Sequence, residues 1–344
     1  MKAFALYGKE DMRLEEMPLP AVGEGGLIMR ILACAVCGSD ARMYFNGPTK
    51  RYRLPIVLGH EFSGEVVEVG PKVAGLAKGD LVVASPVVPD MTCRACAAGK
   101  DNICENAELF GVHLPGGFAE YLYVPDHMVH IGGVVKLPPG SDLKAGALTE
   151  VVACCLHGLG EVGGVSPQDE VLIIGDGAVG LTFVQLAKLM GAGRVITTGR
   201  RAKRRELSRL VGADEALDAT AITSLPDYAR EHGLSPTLVI VAAATTQAAQ
   251  DALKVVRSGG RVLLFSGYVP GTELVIDPNA VHYRELHISG SIDCTIRDFQ
   301  RAATLAPRLH MGELISHEFP FSRTVDAYLA TKEADAVRVM VVAE

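Results

Sequence analysis

Three regions of the chain, the first made of two stretches, place reactive side chains at spacings that suit metal or phosphate chemistry. In ACAVCGSDA (33–41) and LGHEFSGEVVEVG (58–70), Cys37, His60 and Glu61 fall at the ends of apolar runs. A soft thiolate, an imidazole and a carboxylate form the donor set of a catalytic zinc that keeps one coordination position open. Singly, each has an ordinary reading: Cys34 and Cys37 as small core residues, His60 as a satisfied polar ring, Glu61 as a surface acid. Together they read better as one site. The second region, PDMTCRACAAGKDNIC (89–104), carries Cys93, Cys96 and Cys104 at C-x₂-C-x₇-C spacing, with Asp90 three residues before the first. It is either a four-ligand metal site with one oxygen donor or the remnant of one, held by packing.

The third region, VLIIGDGAVGL (171–181), contains G-x-G-x-x-G at Gly175, Gly177 and Gly180, with Ala178 and Val179 between the last two. Such a pattern arises by chance among 37 glycines. Here, however, an apolar strand ends at Gly175 and a helical pattern starts after Gly177, as a dinucleotide fingerprint requires. The first glycine makes the turn, the second admits the pyrophosphate, and the third lets the helix pack closely. In an NAD(H) site an acid about 20 residues further on reads the adenosine ribose. This chain has VITTGRRAKRR instead, with Gly199 nineteen residues after Gly180 and no acid before Glu206. No carboxylate at 199 repels a 2′-phosphate, and Arg200 and Arg201 supply donors for one, with Arg204 as a further candidate. The region therefore predicts a preference for NADP(H) over NAD(H); the alternative is a solvated basic turn.

These side chains need a scaffold, and the chain has length for two domains of about 150 residues each. In its 344 residues, 49% are hydrophobic and 21% charged, and the formal net charge of −7 gives no electrostatic case for a nucleic-acid partner. The N-terminal MKAFALYGKEDMRLEE lacks a signal-peptide pattern, and no apolar run approaches the roughly 18 residues of a membrane span. Eight cysteines, three of them within twelve residues, fit thiolate ligands in a reducing cytoplasm better than a disulfide scaffold. Up to about residue 145 the chain reads as short β-type runs (LIMRILA, GEVVEVG, DLVVASPVV, AEYLYV) broken by Gly and Pro. From about 150 strands alternate with helical segments, which predicts a parallel sheet covered on both faces. The closing strand VRVMVV is placed to return to the first domain.

Taken together, the sequence resembles the zinc-containing medium-chain dehydrogenase/reductase family over essentially its whole length, closest to the sorbitol and threonine dehydrogenase branch. The residues that carry the resemblance are Gly59, His60, Glu61, Gly64 and Gly70, the block Cys37 to Asp40, and the glycine fingerprint. It implies an α/β fold: a doubly wound Rossmann domain at 149–289 and a mostly β, GroES-like catalytic domain at 1–148 and 290–344. It also implies a catalytic zinc on Cys37, His60 and Glu150, with Glu61 as a fourth ligand or a neighbour, and a structural zinc on Asp90, Cys93, Cys96 and Cys104. The family usually has a fourth Cys where Asp90 stands. Ser39 matches the position that passes the alcohol proton towards solvent, and Asp40 one that orients His60. Several relatives end the relay with a His where this chain has Arg42. Tyr44 and Arg284 resemble substrate-pocket positions of polyol dehydrogenases, whereas Cys154 and Cys155 read as core packing.

The implied activity is zinc-dependent hydride transfer between NADP(H) and a polyol, sugar alcohol or related secondary alcohol or ketone. The alternative within the branch is an NAD-dependent amino-alcohol or simple secondary-alcohol dehydrogenase. A metal-free reductase would lack the Cys, His and Glu set, and a non-catalytic dinucleotide-binding protein would not need it. The expected partners are a small alcohol or ketone and further copies of the chain in a homodimer or homotetramer, with no nucleic acid and no membrane.

Overall fold

In the computed structural model of the chain, which describes residues 1–344, the apolar run Leu27–Val36 becomes a ten-residue strand buried along nearly its whole length. A strand so apolar needs cover on both faces and partners on both edges. Glu61–Val69 pairs antiparallel on one edge and Arg338–Val342 antiparallel on the other. The full sheet runs Val134–Lys136, Leu81–Ala84, Glu61–Val69, Leu27–Val36, Arg338–Val342, Ile315–Pro320, and Tyr121–Val124 also joins Leu27–Val36. Register matters here: Ala35 lies opposite Glu61, and Val36 opposite Val339. The far end of the central strand is thereby framed by Glu61 on one side and by the start of the closing strand on the other. A core including Leu6, Leu27, Met29, Phe62, Phe110, Phe118, Leu122 and Tyr328 supports it.

The chain divides into two compact units, Met1–Cys154 with Asp293–Glu344, and Cys155–Ile292. The division differs from the expected boundaries at 148/149 and 289/290. The first turn of the helix Thr149–Glu161 belongs with the first unit, as do His60 and Cys37, whose charges act on Glu150.

The second unit is a six-stranded parallel sheet. Its strand order is Glu215–Asp218, Arg194–Gly199, Glu170–Ile174, Leu238–Val241, Arg261–Leu264, His287–Gly290. Strand order reverses on either side of Glu170–Ile174, the switch point where doubly wound sheets bind dinucleotides. The strands VLII and LVIV are fully apolar, as a sheet covered on both faces demands. Asp169, at the entry to the first strand, is 7% exposed. Its carboxylate ties three segments together, accepting from Ser166 N at 2.8 Å, Thr237 Oγ1 at 2.6 Å and Arg261 Nη2 at 2.5 Å. No helix is long and apolar enough to cross a membrane.

Candidate metal centre and dinucleotide cradle

The central strand of the first unit ends by delivering Cys37 to the N-terminus of the helix Gly38–Asn46. The backbone N–H of Cys37 donates to the Asp40 carboxylate at 3.2 Å, so the acid in the first turn fixes the strand-to-helix corner. The other Asp40 oxygen lies 3.3 Å from Nδ1 of His60. Asp40, only 2% exposed, thus orients both neighbours at once. Gly59 sets the approach of His60: its φ is +98°, and a Cβ there would lie 2.8 Å from Cys34 Sγ and 2.9 Å from the Phe118 ring. Only glycine takes that conformation in that space.

Donor atoms of Cys37, His60 and Glu61 all fall within 4.8 Å of one another. Burial and the Glu61 charge push the Cys37 thiol up, but His60, which also hydrogen-bonds it, and Arg338 bring it below the usual thiol value. Burial disfavours charge on His60, yet Asp40 and Cys37 outweigh it and raise the ring well above the ordinary imidazole range. Glu61 is fully buried, and its burial raises the carboxyl to about 7 against the pull of Arg338. The Arg338 guanidinium lies 3.1 Å from Oε1 of Glu61. That contact is an ion pair without hydrogen-bond alignment, and neither Glu61 oxygen accepts a hydrogen bond. A fully buried carboxylate with two unsatisfied oxygens beside a thiol and an imidazole fits a zinc ion.

Glu150 stands outside that set. It sits in the first turn of its helix, accepts the Cys154 thiol at 3.1 Å, and is raised by burial to about 7. His60 and Cys37 both act on its charge, so it borders the cluster. Cys154 is therefore a hydrogen-bond donor to a site residue as well as core packing. Ser39 Oγ lies 3.5 Å from Nε2 of His60, and Arg42 is exposed on the same short helix.

The second cluster closes as the spacing predicts. Donor atoms of Asp90, Cys93, Cys96 and Cys104 lie within 4.8 Å of one another. The carboxylate of Asp90 accepts from Asn106 Nδ2 at 2.6 Å, Thr92 N at 2.8 Å and the Cys104 thiol at 3.2 Å, which together hold it well below the usual carboxylate range. An ionised carboxylate among three thiols is a donor set suited to zinc. Burial, with the neighbouring thiols Cys93 and Cys104, pushes Cys96 up to about 12. The lobe is anchored by Asp101, whose buried carboxylate accepts from the backbone N–H of Ile296 at 2.7 Å.

In the second unit, Gly175 takes φ +117° at the end of its strand, and Gly177 caps the helix Ala178–Leu189. A Cβ on Gly180 would stand 1.9 Å from the Gly175 carbonyl oxygen, so the helix packs where no side chain fits. A Cβ on Gly177 would meet nothing within 4 Å, the open backbone face a pyrophosphate needs. Ala178 and Val179 form the first turn of that helix. Gly199 ends the neighbouring strand, Arg200 and Arg201 follow exposed, and Arg204 lies on the next helix, half-buried. The cradle fits a dinucleotide.

Two sequence assignments are corrected. Tyr44 is 5% exposed in the core, its ring 5.2 Å from Tyr328 and 4.9 Å from Phe45, so it packs the scaffold. Arg284 donates to the carbonyls of Leu253, at 3.0 Å, and Val256. It satisfies the open C-terminal end of the helix Thr246–Val255, which a guanidinium does well. Sequence reasoning also missed Arg338, although a lone cation in the apolar strand RVMVV is itself a signal of a buried counter-charge.

Comparison with known proteins agrees with this architecture. Residues 23–139 match the alcohol dehydrogenase GroES-like domain, and residues 178–308 match the zinc-binding dehydrogenase domain. L-galactonate-5-dehydrogenase of Escherichia coli K12 is 31% identical, over 91% of this chain and 89% of its own length. Sorbitol dehydrogenase of Bombyx mori is 28% identical, over 98% and 97%. A crystal structure of a zinc-binding dehydrogenase from Sinorhizobium meliloti 1021, bound to NADP, matches with a TM-score of 0.92 at 31% identity, covering 99% of this chain and 98% of that one. The chain belongs to the zinc-containing medium-chain dehydrogenase family and is an oxidoreductase of the alcohol dehydrogenase type.

Proposed function

We propose that the chain interconverts a polyhydroxylated secondary alcohol and its ketone, with NADP(H) preferred as hydride carrier. The set of half-buried Cys37 and His60 with buried Glu61, whose carboxylate is unsatisfied, carries the reading. Both relatives quoted above act, by name, on polyhydroxylated compounds. In the oxidative direction the alcohol loses its hydroxyl proton to solvent and a hydride from carbon to NADP⁺, leaving ketone and NADPH.

Cys37, His60 and Glu61 would hold the catalytic zinc, with Glu150 as a bordering carboxylate, and the ion would supply a Lewis acid that lowers the alcohol's pKa. Asp40 holds the His60 ring by Nδ1 and keeps Nε2 directed at the cluster. The Ser39 hydroxyl, beside that nitrogen, takes up the alcohol proton and hands it to solvent. Arg338 opposes the protonation of Glu61 that burial favours. Gly175, Gly177 and Gly180 admit the pyrophosphate, while Arg200, Arg201 and Arg204 read the 2′-phosphate. Asp90, Cys93, Cys96 and Cys104 would hold a second, structural zinc.

The test is a panel of polyols, sugar acids, amino alcohols and simple secondary alcohols assayed with NAD(P)⁺ in both forms. The highest kcat/KM is expected for a polyol or sugar acid with NADP⁺. Full activity after zinc is stripped, or turnover confined to amino alcohols, would defeat the proposal.

A further inference from the structure

The end of the strand Arg194–Gly199 lacks the acid that reads an adenosine ribose, yet a carboxylate stands there. Strand register puts Ile174 beside Thr198, and Gly175 N donates to Thr198 O at 3.1 Å, so the glycine loop lies against Gly199. Asp176, inside that loop, turns its side chain across the gap. A Cβ built on Gly199 would fall 1.6 Å from Asp176 Oδ2 and 2.1 Å from its Cγ. The carboxylate therefore occupies the volume that a side chain at 199 would take. It is 6% exposed, and its Oδ2 has no hydrogen-bond partner. The other acid at this end of the sheet, Asp218, is engaged: its carboxylate accepts from Thr220 Oγ1 at 2.6 Å and pairs with Arg205 at 2.7 Å. Arg205 also donates to the carbonyl of Gly199 at 3.3 Å, which pins the strand end beneath Asp176.

We infer that Asp176 is the ribose-reading acid of this chain, supplied by the glycine loop in place of the residue at 199, and that it limits the preference for NADP(H). A buried carboxylate oxygen without a donor is costly unless a ligand completes it. The ribose 2′- and 3′-hydroxyls are two donors that a dinucleotide brings to this point of a doubly wound sheet. The same charge repels a 2′-phosphate and competes with it for the arginines whose charges act on Asp176, Arg204 foremost, then Arg205 and Arg201. Glycine at 199 is then explained by space: any side chain there displaces the Asp176 carboxylate.

The inference rests on the dinucleotide reading above, and its test separates the two. ADP-ribose and 2′-phospho-ADP-ribose, which carry the adenosine end without the nicotinamide, are titrated calorimetrically into the full chain. Asp176→Asn is expected to weaken ADP-ribose by about tenfold to a hundredfold, and to leave the 2′-phospho form unchanged or tighter. Gly199→Ala keeps every charge but displaces the carboxylate, and should weaken ADP-ribose selectively as well. Equal weakening of both ligands in Asp176→Asn would make the carboxylate merely structural and overturn the inference. Loss of the 2′-phospho form alone would show that Asp176 serves the arginines, and would overturn it too. The 2′-phosphate reading fails separately, if the wild-type chain binds the 2′-phospho form no more tightly than ADP-ribose.

Discussion

Glu61 and Arg338 are both buried, 3.1 Å apart, and neither can be neutralised cheaply without the other. Removing one partner of such a pair leaves an uncompensated charge, so Glu61→Gln should destabilise the chain by about 3–5 kcal/mol and lower its zinc content, read by denaturant melts and elemental analysis. Asp40 acts one bond further out, on His60 Nδ1 and on Cys37 N. Asp40→Asn is expected to weaken zinc binding by about 10–100-fold with little change in melting temperature. An affinity within about twofold of wild type would deny Asp40 its orienting role. Cys37→Ser or His60→Ala should cut kcat by more than about a hundredfold while dinucleotide binding stays within about twofold. These residues were legible in the sequence because Cys37, His60 and Glu61 sit in short local blocks. The balance between Glu61 and Glu150 was not legible, since it depends on Arg338, distant in sequence and near only after the sheet forms. Tyr44 and Arg284 misled for the same reason: a resemblance places a residue in a loop or helix, but packing and a carbonyl left open at a helix end decide where its side chain goes.

At the level of elements, Asp169 joins the turn before Glu170–Ile174 to the strands Leu238–Val241 and Arg261–Leu264. Burial pushes its carboxyl up, but hydrogen bonds from Thr237, Ser166 and Arg261 outweigh this and hold it below its ordinary value of 3.8. Its stabilising contribution is present above that value and is lost as pH falls through the depressed one. Asp169→Asn should cost about 2 kcal/mol at pH 7. The gap between wild type and variant should narrow below about pH 4, measured by thermal melts across pH. A gap that persisted unchanged to about pH 2 would place the stabilisation elsewhere. The parallel pairing of these strands was readable from alternating apolar runs and helical segments, and the nucleotide-binding turn from the fingerprint. Asp176 was visible as a letter in GDGAVG, but the volume over Gly199 that it fills belongs to the space between two strands, which no one-dimensional spacing encodes.

For the whole molecule, the two donor clusters predict about two zinc ions per chain, one of them lost in Asp90→Ala with turnover largely retained. Equal metal content in wild type and Asp90→Ala would empty the lobe of its assigned role. The sheet that carries the first cluster is assembled from both flanks of the second unit: Arg338–Val342 seats itself against Leu27–Val36 only after Cys155–Ile292 has been made. During synthesis, then, Glu61 waits without its counter-charge while nearly all the rest of the chain emerges. Long-range pairing of this kind is slow, because the intervening loop must close before any contact rewards it. The ribosome-bound chain should acquire dinucleotide affinity before the Cys37, His60 and Glu61 cluster can retain its metal, so the order of translation imposes an order of loading at the catalytic site.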